Sequence, residues 1–273
     1  MMSNDKFSRQ TFLGAQAEYK ITNCRVGIVG LGGGGSHIVQ QLAHIGFKNF
    51  VIYDADVVEV SNLNRLVGAT CEDARLLTPK IEIATRLIKG LQPDAIIEPF
   101  QKRWQQDPFS LRQCDIVFGC VDGFAERREL EICTRRYLIP LIDIGVDVHS
   151  AAEGQPPVMS GQVILSMPGG PCLSCMNFLN ENNLAKENAL YGVAGIRPQV
   201  VWANGVLAST AVGISVDLLT GWTKSMPDRI IYLSFDSNLG LIKPHPRTQY
   251  ISDCVCNHFS EEDVGDPIFE KII

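Results

Sequence analysis

The chain has no excess of basic charge: 24 Lys and Arg stand against 30 Asp and Glu, for a net charge of −6. No global positive field therefore advertises nucleic acid or an anionic lipid surface. Its first residues, MMSNDKFSRQTF, contain no apolar core of the kind a secretory signal needs. A cytoplasmic setting is the expectation. Internal repeats and low-complexity tracts are missing too, which excludes solenoids and disordered arrays. The longest apolar stretch, Val200 to Trp222, is interrupted by Asn204 and Asp217. It is expected to be a buried helix of a soluble protein rather than a membrane span. Five histidines are dispersed, and none sits with Ser or Cys in a recognisable nucleophile motif.

What is present describes a globular α/β protein. The 273 residues are 45% hydrophobic and 20% charged, enough apolar material for one large domain. Nine cysteines without an export signal point to a reducing compartment. Cys24, Cys71, Cys114, Cys120 and Cys133 are scattered and read as small core residues. Cys172/Cys175 and Cys254/Cys256 form two tight pairs.

Strand and helix signals alternate through the first 150 residues. Short apolar runs at Cys24–Gly30, Asn49–Asp54, Ala95–Phe100, Asp115–Cys120 and Leu141–Val146 read as strands. Helical spacing marks Ser36–Phe47, Lys80–Leu91 and Glu126–Tyr137. Such alternation implies βαβ units and a mostly parallel, Rossmann-like sheet flanked by helices. Beyond Val146 the pattern becomes turn-rich, with Gln162–Ser166, Ile230–Phe235 and Leu239–Lys243 as further strands and a helix from Gln199 to Gly221. The expectation is a single domain over 1–273, with a nucleotide-binding half (1–150) and an antiparallel elaboration (151–273). Residues 180–197 are polar and irregular and are expected to form a mobile loop.

Gly30-Leu-Gly-Gly-Gly-Gly35 falls between the first strand and its helix. Gly30, Gly32, Gly33 and Gly35 would let backbone N–H groups approach phosphate oxygens at a helix N-terminus. Asp54 ends the next strand, where a carboxylate can bind a ribose hydroxyl. NAD, FAD and ATP all fit this much. A dinucleotide carries about two charges at its pyrophosphate and ATP about four, so added cations favour ATP. Arg65 lies just past Asn62 and Asn64, Lys80 opens a helix, and Asp122 follows a strand where Mg²⁺ could be held.

These residues occur in an order that resembles the ThiF/MoeB/HesA family, bacterial relatives of ubiquitin-activating enzymes. The matching pieces are Ser8-Arg9-Gln10, the glycine turn, Asp54-x-Asp56 with Ser61-Asn62-Leu63-Asn64-Arg65, Lys80, Val121-Asp122 and Cys172-x-x-Cys175. The resemblance covers nearly the whole chain. It implies adenylation of the C-terminal glycine carboxylate of a ubiquitin-like or sulfur-carrier protein with a Gly-Gly tail. It further implies that Asp54 holds the ribose, that Asn62, Arg65 and Lys80 contact phosphates, and that Asp122 holds Mg²⁺. Arg9 would enter the site of the other protomer of a homodimer. Rival expectations are activation of a small carboxylate or a tRNA base on the same fold, a nicotinamide or flavin oxidoreductase, and an inactive scaffold that binds a ubiquitin-like partner.

Three departures from the family pattern stand out. Gly123 replaces an Asn, Leu66 replaces a Gln, and Glu181 to Gln199 holds no Cys, Ser or Thr to accept an acyl group. The enzyme is expected to stop at the adenylate, leaving transfer to a conjugating or sulfur-transfer partner. Four thiolates around Zn²⁺ would make a closed structural site. In the family a second Cys-x-x-Cys completes it; here Cys254-Val-Cys256 joins Cys172 and Cys175, with His258 close behind.

Overall fold

Apolar runs of four or five residues form the parallel strands at the centre of the molecule. The structure, a computed structural model, describes residues 6–149, 156–181, 183, 199–225, 230–251, 256–260 and 263–265. Strand β1 (Arg25–Val29) lies between β2 (Asn49–Tyr53) and β4 (Ile116–Gly119), with β3 (Ile96–Phe100) and β5 (Leu141–His149) outside them, all parallel. Strands β6 (Val158–Ser166), β7 (Tyr232–Asp236) and β8 (Leu241–Pro244) then pair antiparallel, giving the order β3-β2-β1-β4-β5-β6-β7-β8 among the described residues.

Both sheet faces are covered, as a parallel sheet requires. One face packs against α2 (Gly33–Ile45), α4 (Lys80–Leu91) and α6 (Val201–Thr220), through Ile38, Leu42, Ile88, Leu207 and Ala211. The other packs against α5 (Phe124–Arg136) and the 3-10 segment Pro108–Gln113, through Leu130 and Leu111. Helix α1 (Ala17–Asn23) and α3 (Cys71–Leu76) are short surface elements. Glycine ends α2: Gly46 takes φ +116°, and its N–H closes on Leu42 O.

Helix α6 is long and apolar enough to cross a membrane by length and composition, yet 56% of the apolar window is buried inside the molecule. Asn204 and Asp217 are buried within it, and Thr223 N donates to Asp217 Oδ1 at 3.0 Å. Strands β5 and β6 run further than the apolar pattern suggests, pairing from Leu141↔Ser166 to His149↔Val158. Backbone pairing carries this ribbon through polar positions such as Asp147 and Ser160, which an apolarity criterion misses. The expected loop at 180–197 falls almost entirely outside the described residues.

Candidate active site

The strand order changes direction between β1 and β4, and a cavity of about 320 Å³ opens there at the carboxyl ends of the strands. It is lined by the glycine turn, Asp54, Arg65, Lys80 and Asp122. The sequence separates these residues; the sheet brings them together.

The glycines divide the work. Gly30 takes φ +89°, and a Cβ there would lie 2.5 Å from Cys120 O. At Gly35 a Cβ would lie 1.9 Å from Gly30 O, so this pair lets helix α2 seat against the strands. Gly32 has no atom within 4 Å of a built Cβ and lines the cavity. Gly33 also lines it, close against Asn204. The first N–H groups of α2 therefore face open space, where the helix dipole favours an anion.

Asp54 is anchored from both sides. Its Oδ2 accepts from Leu31 N at 2.6 Å and its Oδ1 from Asp56 N at 2.8 Å. Burial pushes its carboxyl up, while Lys80 and the two N–H donors pull it down. Each carboxylate oxygen keeps a lone pair for a further donor, such as a hydroxyl. Lys80 Nζ lies 2.7 Å from Asp56 Oδ2 and 3.8 Å from Asp54 Oδ1. Arg65 is braced by its own loop, donating to Ser61 O at 2.7 Å and Asn64 Oδ1 at 3.0 Å.

Asn62 behaves differently from its neighbours. It is buried outside the cavity lining, its Oδ1 accepts from Glu59 N at 3.1 Å, and its backbone O accepts from Arg65 N. In this structure it shapes the turn that presents Arg65. Leu66, at the position of the family's Gln, packs into a small cluster with Val58, Ala74 and Ile83. Gly123, at the position of the Asn, is the N-cap of α5.

Asp122 is exposed at the mouth, where Gln199 Nε2 donates to its Oδ1 at 3.2 Å. Gln199 O in turn accepts from Asn64 Nδ2 at 3.0 Å, tying the Arg65 loop to the start of α6. Gln199, Asn204, Lys102, Arg103 and Arg127 all line the cavity, outside the motifs that mark the site in sequence. Arg127 and Arg128 are neighbours in sequence but separate in the fold: Arg127 is 5% exposed and Arg128 faces solvent. Arg127 pairs with buried Asp143 and donates to Val121 O and to Ile144 O. Burial raises the Asp143 carboxyl, against the pull of Arg127.

Arg9 sits on the 3-10 segment Ser8–Leu13, exposed and outside the cavity lining. That segment docks at the far end of α2, where Gln10 Nε2 donates to Ile45 O. With 1.5 Å of rise per residue, the length of α2 puts about 18 Å between that end and the glycine turn.

The second constellation lies at the other end of α5. Cys172, Cys175, Cys256 and His258 place one ligand atom each within 4.8 Å of one another. Cys254 lies outside the described residues. The loop bearing Cys172 is held by α5: Glu131 Oε1 accepts from Leu173 N at 2.8 Å, and Arg135 Nη2 donates to Gly170 O and Pro171 O. Thiolates and an imidazole are ligands suited to a metal such as zinc.

Comparison with known proteins fits this geometry. The model of the ThiF family matches residues 7–255. The SAMP-activating enzyme E1 of Haloferax volcanii is 33% identical over 203 residues, 72% of this chain and 71% of that protein. The molybdopterin-synthase adenylyltransferase of Escherichia coli is 29% identical over 232 residues, 83% of this chain and 86% of that protein. Among solved structures, E. coli MccB with ATP superposes with a TM-score of 0.72 at 20% identity, over 89% of this chain and 71% of that one. At that identity the likeness speaks for the fold.

Proposed function

Because the chain belongs to the ThiF family, we propose that it is an ATP-dependent adenylyltransferase. Its substrate is the C-terminal glycine carboxylate of a small sulfur-carrier or ubiquitin-like protein. The products are an acyl-adenylate and pyrophosphate. The curated relatives bear names of this activity. One observation carries the reading: a single glycine-lined cavity gathers Asp54, Arg65, Lys80 and Asp122.

The chemistry is displacement at the α-phosphorus of ATP. A carboxylate oxygen forms the new O–P bond, and the bond to the departing pyrophosphate breaks. The residues present would act largely by electrostatics. Asp54 holds the ribose through its remaining lone pairs. The start of α2 meets the phosphates. Lys80 leaves exposed Asp56 to face them, and Arg65 does so from its braced loop. Asp122 stands at the mouth, where Gln199 orients one oxygen and a divalent cation would be held. Bound Mg²⁺ supplies charge neutralisation of the phosphates.

The sequence between Glu181 and Gln199 has no Cys, Ser or Thr, which supports release of the adenylate to a conjugating or sulfur-transfer partner. The distance of Arg9 from its own cavity supports a homodimer in which Arg9 serves the neighbouring site. The Cys/His cluster would hold a structural zinc, joining the C-terminal segment to the Cys172 loop.

The test is ATP–pyrophosphate exchange with Mg²⁺, with and without small proteins ending in Gly-Gly. Exchange that requires such a protein supports the reading. Exchange with a small carboxylate or tRNA alone, or none despite ATP binding, overturns it.

A further inference from the structure

We infer that Asn204 helps decide which acyl tail the site accepts: its Oδ1 takes the hydrogen bond from the last peptide N–H of the carrier and so holds the terminal glycine carboxylate beside the α-phosphorus. This rests on the adenylation proposed above and adds to it a residue outside the motifs that mark the site in sequence. Asn204 lies one turn into α6, four residues past the N-cap Val200. It is 6% exposed and lines the cavity. Its Nδ2 donates to Val200 O at 3.0 Å, which fixes the amide, since the reverse orientation would set two carbonyl oxygens against each other. Among the described residues no donor bonds to Oδ1. A buried amide oxygen without a donor is destabilising, so the site is built to receive one from a ligand.

The backbone around the cavity makes room for this side chain. A Cβ at Gly33 would lie 2.5 Å from Asn204 Nδ2 and 2.9 Å from its Cγ, so the carboxamide lies over the first turn of α2 only because position 33 is glycine. A Cβ at Gly34 would lie 2.7 Å from Ile144 Cδ1 and 3.6 Å from Asn204 Oδ1, which puts that oxygen beside the middle of β5. Gly145 makes room in the same way for Arg127, whose Nη2 would lie 2.6 Å from a Cβ there. Arg127 turns its terminal nitrogens to Asp143, Val121 O and Ile144 O, whereas Asn204 keeps its oxygen for the cavity.

Position in the sheet identifies the donor. Asp54 follows β2 and Ile144 lies in β5, with β1 and β4 between those strands. Three inter-strand spacings separate the two sides by about 14 Å. Ribose hydroxyls and the base belong to the Asp54 side, and ionised phosphate oxygens only accept. What arrives on the β5 side is the acyl substrate. The peptide nitrogen of its last residue shares one Cα with the reacting carboxylate, so an acceptor that holds the N–H also aims the carboxylate. It does so without competing for the cations that meet the phosphates. A carboxylate with no N–H at that carbon leaves Oδ1 unpaired and is disfavoured.

The test changes one group of the substrate. A Gly-Gly protein that supports exchange is prepared by ligation with an ester oxygen in place of its last peptide N–H, and kcat/KM for ATP–pyrophosphate exchange is compared on the two forms. The native enzyme should be roughly 30-fold less efficient on the ester. Asn204→Ala should lose about as much on the amide form, and the ester should then cost that variant less than ~3-fold more. Its affinity for ATP with Mg²⁺, measured by calorimetry without carrier, should be nearly unchanged, and its melting temperature reports the fold. Equal efficiency of the native enzyme on ester and amide overturns the inference without recourse to any variant. So does an ester penalty that keeps its full size in Asn204→Ala, or a loss of ATP affinity in that variant as large as its loss of exchange. A native enzyme that exchanges with no Gly-Gly protein overturns the adenylation reading, and the role of Asn204 with it.

Discussion

The two ends of helix α5 hold opposite kinds of polar site. At its start, Asp122 is exposed and Lys80 lies against an aspartate that is itself largely exposed. At its end, Cys172 and Cys175 are buried, and Glu131 and Arg135 are 1% and 2% exposed with their partners inside the protein. A site that exchanges a highly charged ligand must keep its charges partly solvated, since burying them unpaired costs several kcal/mol each, on the order of 5. A site that staples the chain gains from closure. Substitutions at the first end should therefore cost rate, and those at the second should cost stability.

The largest expected effect is at the mouth. Asp122→Ala should lower ATP–pyrophosphate exchange by about 10³-fold, near 4 kcal/mol, while the melting temperature moves little. A melting temperature that collapses with the rate would erase the contrast between the two ends. Arg127→Met sits where the two behaviours meet. It strands buried Asp143 and should cost about 3–5 kcal/mol in a denaturant titration. Adding Asp143→Leu should recover much of that stability but not exchange, because Val121 O, next to Asp122, still lacks its Arg127 donor.

Metal removal from the far end comes next. Stripping the cluster's metal with a chelator, then removing the chelator and restoring Mg²⁺, should lower the melting temperature by roughly 5–10 °C and leave the dependence of exchange on ATP concentration nearly unchanged. A large rise in the KM for ATP would join the two ends functionally. The smallest effect belongs to a surface cap outside both. Asp73 accepts from Thr70 N and from both terminal nitrogens of Arg86, and these bonds hold its carboxyl well below the usual range. Its contribution is present above the unfolded carboxylate pKa of about 3.9 and is lost as pH falls through the folded value. Asp73→Asn should cost about 1–2 kcal/mol at pH 7, with the gap to the native protein narrowing below about pH 4. Equal costs at both pH values would rule out the ionic origin.

Much of the nucleotide end was legible in sequence because its signals are local. A glycine turn between an apolar run and a helical pattern is a statement about backbone sterics, and Asp54, Arg65, Lys80 and Asp122 each follow an element end. Local signals failed where a partner came from far along the chain. Helix α5 reads as solvated from its charges, yet Arg127, Glu131 and Arg135 form its buried face. Asp143 pairs with Arg127, Arg135 lies beside Glu131, and Ser166 with the carbonyls of Gly170 and Pro171 supplies the remaining hydrogen bonds. Gln199 and Asn204 escaped notice because an isolated amide carries no pattern.

By itself the sequence determined the alternation of elements, the parallel sheet and the steric need for glycine at positions 30 and 35, since all three follow from interactions over a few residues. Tertiary structure decided which of two adjacent arginines turns inward, that Asn62 caps its own turn, and that His258 stands beside Cys172 and Cys175. Those outcomes depend on burial and on donor–acceptor pairs separated by up to 86 residues, and the free energy of burying a polar group is set by the partner it meets there.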